Sequence, residues 1–158
     1  MGIFKTLVND LVGIEKEYAV KDLGIFTCKV CNWWKDKQYT WGGTVRLPFY
    51  SEETVILLEG DASAPFAQQL LELQALLQNW KSMITRLDSM LPNESRLAHK
   101  EEIYVSWQDT FYPEAINPAI PTSDGWEITF ARKDDLKDYF DFIWKNNTVR
   151  ELTLEVGA

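Results

Sequence analysis

The chain has 158 residues, a formal net charge of -8, and 46% hydrophobic residues including seven Trp. That length is one domain's worth and buries roughly 70% of the unfolded surface without disulfide or metal staples. Such apolar content excludes disorder for most of the chain, and the acidity disfavours a nucleic-acid backbone or an anionic membrane as partner.

The same charge suits a basic protein partner, although acidity also simply keeps a bacterial cytosolic protein in solution. No apolar run approaches the roughly 20 residues that cross a bilayer, and the N-terminus lacks the order of a secretory signal. Two cysteines without an export signal point to a reducing compartment. A cytoplasmic location is expected. Met1 to Thr6 also fits the loose N-myristoylation pattern, which acts only in a host that has the enzyme.

Ile3, Phe4, Leu7, Val8, Leu11 and Val12 recur at helical spacing, which predicts a short helix over 2–13 closing one edge of the core. From Tyr18 the period becomes two, and a β-meander is predicted over 18–60. Phe26, Cys28 and Val30 share a face of its first strands, Tyr39, Trp41, Val45, Leu47 and Phe49 alternate along the next, and Thr54 to Glu59 forms a third. Gly42-Gly43 inside it marks a bulge or a close backbone approach.

Over 63–91 the spacing of Phe66, Leu70, Leu73, Leu77, Trp80, Ile84, Leu87 and Leu91 predicts one long helix. Ser63 or Asp61 is its expected cap and Pro92 its stop. Beyond a polar connection, further strands are predicted over 103–156. Ile103, Val105 and Trp107 alternate in the first, followed by a Pro-rich loop at 109–125. Trp126, Ile128 and Phe130 alternate next. Leu136 to Trp144 fits either period, with strand preferred, and Asn146-Asn147 suits a tight hairpin before Leu152, Leu154 and Val156.

Cys28 and Cys31 form a C-x-x-C, but inside a strand the odd separation puts the thiols on opposite faces, and a second zinc-ligand pair is absent. His99 is the only imidazole and lies in a polar connection. Asp134, Asp135, Asp138 and Asp141 cluster near a turn without the spacing of a calcium loop. No phosphate loop or nucleophile motif is present. No catalytic residue, metal or cofactor is therefore expected.

Aromatic density is the positive anomaly. Trp33, Trp34, Tyr39 and Trp41 crowd the first hairpin, and Phe111 and Tyr112 open the Pro-rich loop. These six are the candidate binding residues, because adjacent Trp33 and Trp34 must point to opposite faces and exposed aromatics dominate interfaces. The competing reading is that large aromatics fill a thin sheet core.

The order of features resembles a family of uncharacterised bacterial proteins: a Leu23-Gly24 strand entry, a Trp-rich hairpin ending in Trp41-Gly42-Gly43, Glu59-Gly60-Asp61, a long helix with Trp80, and a final aromatic hairpin. Such proteins are similar to some immunity proteins that neutralise toxins delivered by neighbouring cells. The expected fold is a single α+β domain over 1–158, a twisted antiparallel sheet of about six to eight strands against one long helix with the short N-terminal helix at an edge. The expected function is non-enzymatic binding of a protein, such as a basic toxin; a homodimer through the long helix is the other partner considered. Two other classes stay open: a small-ligand (sugar or nucleotide) binder using the aromatics, and a metal-dependent hydrolase using the Asp cluster.

Overall fold

Alternating apolar residues build eight strands: β1 (Ile14–Val20), β2 (Gly24–Val30), β3 (Tyr39–Val45), β4 (Thr54–Gly60), β5 (Phe111–Pro118), β6 (Trp126–Arg132), β7 (Tyr139–Lys145) and β8 (Thr148–Glu155). The structure, a computed structural model, describes residues 13–30, 39–119, 125–134 and 138–155. The strands form one sheet in chain order. Neighbours are antiparallel except β4 and β5, which run parallel with Val55 beside Ala115 and Ile56 beside Ile116.

A parallel neighbour cannot be reached by a hairpin and requires a crossover. Helices α1 (Ala67–Gln78), α2 (Trp80–Leu97), α3 (Glu101–Tyr104) and α4 (Trp107–Thr110) make it. The molecule is thus two four-stranded meanders joined along one parallel seam, an α+β arrangement on a mostly antiparallel sheet. Among the described residues no helix is long and apolar enough to cross a membrane.

The helices cover one face. Leu73, Leu76, Met83, Leu87 and Leu91 are buried against the sheet. Phe130 and Phe140 stack with centroids 5.0 Å apart, and Trp107 meets both edge-on at 5.7 and 5.6 Å. Two hairpins use positive φ: Asp22 (64°) before Gly24 between β1 and β2, and Asn146 (50°) with Asn147 (57°) between β7 and β8. The stretch that suited either period is therefore strand over Tyr139–Lys145.

The predicted long helix over 63–91 is corrected in three ways. It breaks at Asn79, whose φ of -94° and ψ of 11° leave the helical range. The Asn79 side chain donates to the Ala75 carbonyl at 2.8 Å, the local competition with the backbone that makes Asn a poor interior residue. Asp61 and Ser63 do not cap α1. Asp61 instead closes its own turn, accepting from the Ser63 and Ala64 amides at 2.7 and 3.1 Å, and α1 begins at Ala67 without a side-chain cap. Pro92 lies inside α2, which runs on to Leu97, because packing of Leu91 and Ser95 against the core outweighs one missing backbone donor.

The expected sheet against one long helix thus becomes an eight-stranded sheet, with one parallel pair, against a broken helix and two single turns. The predicted helix over 2–13 lies, Gly13 apart, outside the described residues.

Two further expectations change. Ile103 to Gln108 is α3 and α4 rather than strand. Trp107 turns inward, and its indole Nε1 and the Gln108 amide both donate to Asp88 of α2 at 2.8 Å. Eight residues of the predicted Pro-rich loop at 109–125, Phe111–Pro118, are β5. Pro113 is accommodated at a register shift between Pro113 and Ala115, where a strand tolerates a missing donor, and its carbonyl accepts from Thr54 Oγ1 at 2.6 Å. Gly42-Gly43 is a close approach rather than a bulge, since β3 pairs β4 without a shift.

Candidate functional site

The sheet places most of the described aromatic candidates in the core. Trp41 and Phe111 are fully buried and Tyr39 nearly so. Trp41 Nε1 donates to the Asp61 carbonyl at 3.0 Å, and Phe111 stacks on Tyr104 at 5.2 Å. Tyr112 is half-buried on the opposite face. Trp33 and Trp34 lie outside the described residues, as does Cys31; Cys28 is buried in β2. Filling, not display, is what the described aromatics of the first hairpin do.

The Asp cluster is divided. Arg132 pairs with Asp134 at 2.8 Å and with buried Asp138 at 2.7 Å. Asp141 faces the other side of the sheet, beside Thr129 and Thr153, and Asp135 lies outside the described residues. Among the described residues no three His, Cys, Asp or Glu side chains group to hold a metal. His99 serves the backbone: with φ 57° it ends α2, its amide bonding Arg96 and the Lys100 amide bonding Ser95 in a Schellman arrangement.

Positions that alternate with the core residues line the sheet face away from the helices. The register sets Thr27 beside Gly42 and Gly42 beside Leu57. It likewise sets Thr44 beside Val55, then Ala115, Thr129 and Asp141 in turn. The face carries small and β-branched residues, and Ile25 (54%), Val55 (43%), Leu57 (37%) and Tyr139 (39%) are exposed. At its β6–β8 end stand Glu127, opposite Ile143, Asp141, and Glu155, opposite Tyr139. Partial burial, then the nearby Glu127 and Glu155 carboxylates, pushes Asp141 above the usual carboxylate range. Of these residues only Asp141 belongs to a cluster visible in the sequence; the signal of the others is that they alternate with the core residues of each strand.

A second feature lies where β3 leads to β4. The strand predicted to reach Phe49 ends at Val45, and Tyr50 N bonds the Leu47 carbonyl at 3.3 Å to close a turn. Phe49 occupies that turn with φ 73° and is completely exposed (101%). Phe49 forms one wall of an apolar groove of about 320 Å³ that Leu23, Leu47, Pro48, Leu77 and Trp80 complete, with the charged Asp22 and Arg46 also lining it. Trp80 is held by stacking on Phe130 at 6.1 Å and by Nε1 donating to the Tyr50 hydroxyl at 3.3 Å.

A third recess, about 340 Å³, opens between the end of α1 and the β7–β8 hairpin. Glu72, Asn79, Asn146 and Asn147 surround the edges of Trp126 and Trp144 there. No protein-family model, no curated protein and no solved structure matches this chain.

Proposed function

We propose that this is a non-enzymatic binding domain whose open sheet face receives a basic protein, in the manner of an immunity protein that neutralises a basic toxin. The observation that carries the reading is the face that the described helices leave uncovered: Ile25, Val55 and Leu57 are exposed on it, with Glu127, Asp141 and Glu155 gathered at one end. Contiguous exposed apolar surface rimmed by polar groups marks interaction sites. The overall charge of -8 steers a cationic partner toward the molecule, and a Lys or Arg from that partner relieves the crowding around Asp141.

The test is a pull-down against the product of the neighbouring gene at low and high salt, repeated with Leu57→Asp and Asp141→Asn. Both variants are expected to lose binding, and salt to weaken it. Equal binding by folded variants together with no salt dependence would sink the reading.

A sugar-binding reading draws on the recess over Trp126 and Trp144, whose amides and carboxylate suit hydroxyl groups; retention on a sugar panel favours it. The hydrolase reading has lost its cluster, since Arg132 holds two of the four aspartates and Asp141 faces away. Metal in the purified protein would revive it.

A further inference from the structure

Phe49 combines two features that seldom meet. A bulky side chain at positive φ is strained, because its Cβ crowds the neighbouring peptide, and a fully exposed phenyl ring forgoes the gain of burial. Its backbone φ is 73° and its exposure complete. Neither property helps the isolated chain. Strain of this kind persists where a site uses it, and here it holds an apolar knob clear of the surface.

The matching hole is adjacent, and Phe49 of the same chain forms one of its walls together with Leu23, Leu47, Pro48, Leu77 and Trp80; it has about 320 Å³. An apolar cavity of about 150 Å³ already holds a benzene ring. Leu77 and Trp80 flank the helix break at Asn79, so the break opens the wall on that side. Knob and hole therefore lie side by side on one patch, the requirement of an isologous contact, in which one patch serves both partners. A foreign partner would need no knob next to its own socket.

The charges repeat the pattern. Asp22 and Arg46 both stand at the groove. Arg46 is only loosely engaged within the chain, 4.0 Å from Glu53 with both side chains well exposed. Opposite charges on a single patch pair reciprocally when that patch meets itself across a two-fold axis.

We infer that the groove receives the Phe49 side chain of a second copy of this chain, in a two-fold symmetric dimer with reciprocal Asp22–Arg46 pairs. The dimer is placed at the helix break and its neighbouring turns rather than along a helix, whose apolar stripe faces the sheet. It uses a different surface from the open sheet face and stands without it.

Sedimentation of the full chain over a wide concentration range tests this, with thermal unfolding of each variant. The wild-type chain is expected to self-associate reversibly. Phe49→Asn is expected to weaken the dimer at least about tenfold, the loss of one anchor. The same variant should melt higher than wild type when both are compared as monomers, since Asn tolerates positive φ. Asp22→Arg and Arg46→Asp should each weaken association, and their combination should restore it. A wild-type chain monomeric at every concentration, dimerisation indifferent to Phe49→Asn, or a charge swap without rescue would each overturn the inference.

Discussion

Asp88 accepts the indole hydrogen of Trp107 at 2.8 Å and, through the same oxygen, a second hydrogen bond from Gln108. One carboxylate on α2 thus fastens the last turn of the crossover to the helix that covers the sheet. Asp88→Ala leaves the buried indole without an acceptor, at a cost of about 1–3 kcal/mol. Asp88→Asn keeps an acceptor and should lose less. Urea midpoints of the two variants provide the check.

Gly42 and Gly43 are neighbours on opposite faces of β3, and they should answer oppositely to a methyl group. A Cβ on Gly43 would stand 2.7 Å from the ring of Phe26, which is fully buried and has no room to withdraw. Gly43→Ala is expected to destabilise by about 1–3 kcal/mol, as overpacked cores do. On the open face, a Cβ on Gly42 meets Leu57 at 3.4 Å, an ordinary contact. Gly42→Ala should leave stability unchanged or raise it, since Gly weakens a strand. Thermal melts of both variants decide it.

Asp141 should trade stability for binding. Its carboxyl is held above the usual range first by partial burial and then by Glu127 and Glu155, so the folded chain takes up its proton more readily than the unfolded one. Stability from this group is therefore greatest in acid and falls as pH rises from the ordinary carboxylate range through the elevated folded value. Asp141→Asn is expected to remove that fall and melt higher at neutral pH, while binding a basic partner less well. Melting temperatures of wild type and variant across the acid range measure the difference.

The helix stripe gives a graded test. Leu87 is fully buried, and Leu87→Ala should cost about 2–5 kcal/mol. Leu71 on α1 is 61% exposed, and Leu71→Ala should stay within about 0.5 kcal/mol. Denaturant unfolding ranks them, and equal effects would mean the helices do not sit as described.

Period was the legible part. Alternation at Phe26 and Cys28 or at Ile128 and Phe130 announces strands, because side chains on a strand must change faces at every step. Interruptions were less legible, being decided by tertiary packing: Asn79 breaks a stripe that Leu77 and Trp80 continue unbroken in sequence, while Pro92 does not stop the helix. The site was harder still. Periodicity says that Val55 and Leu57 share a face, but not that the helices cover the other one. Trp41 and Phe111 looked like surface anchors for that reason and are core. Phe49 was hidden by apparent continuity with Leu47, although the chain leaves the strand after Val45, before either residue.

The seam between β4 and β5 bears on how the chain folds. Each meander can form from hairpins, whose partners are close in sequence and meet quickly. The seam joins residues 59 positions apart, as in the Thr54–Pro113 hydrogen bond, so its loop must close before any contact across it returns stability. The hypothesis that follows is an order of events: two half-sheets first, their union last and slowest. Thr54→Val removes one tie across the join and should slow refolding more than it speeds unfolding. A change confined to the unfolding rate would place the union after the barrier rather than on it.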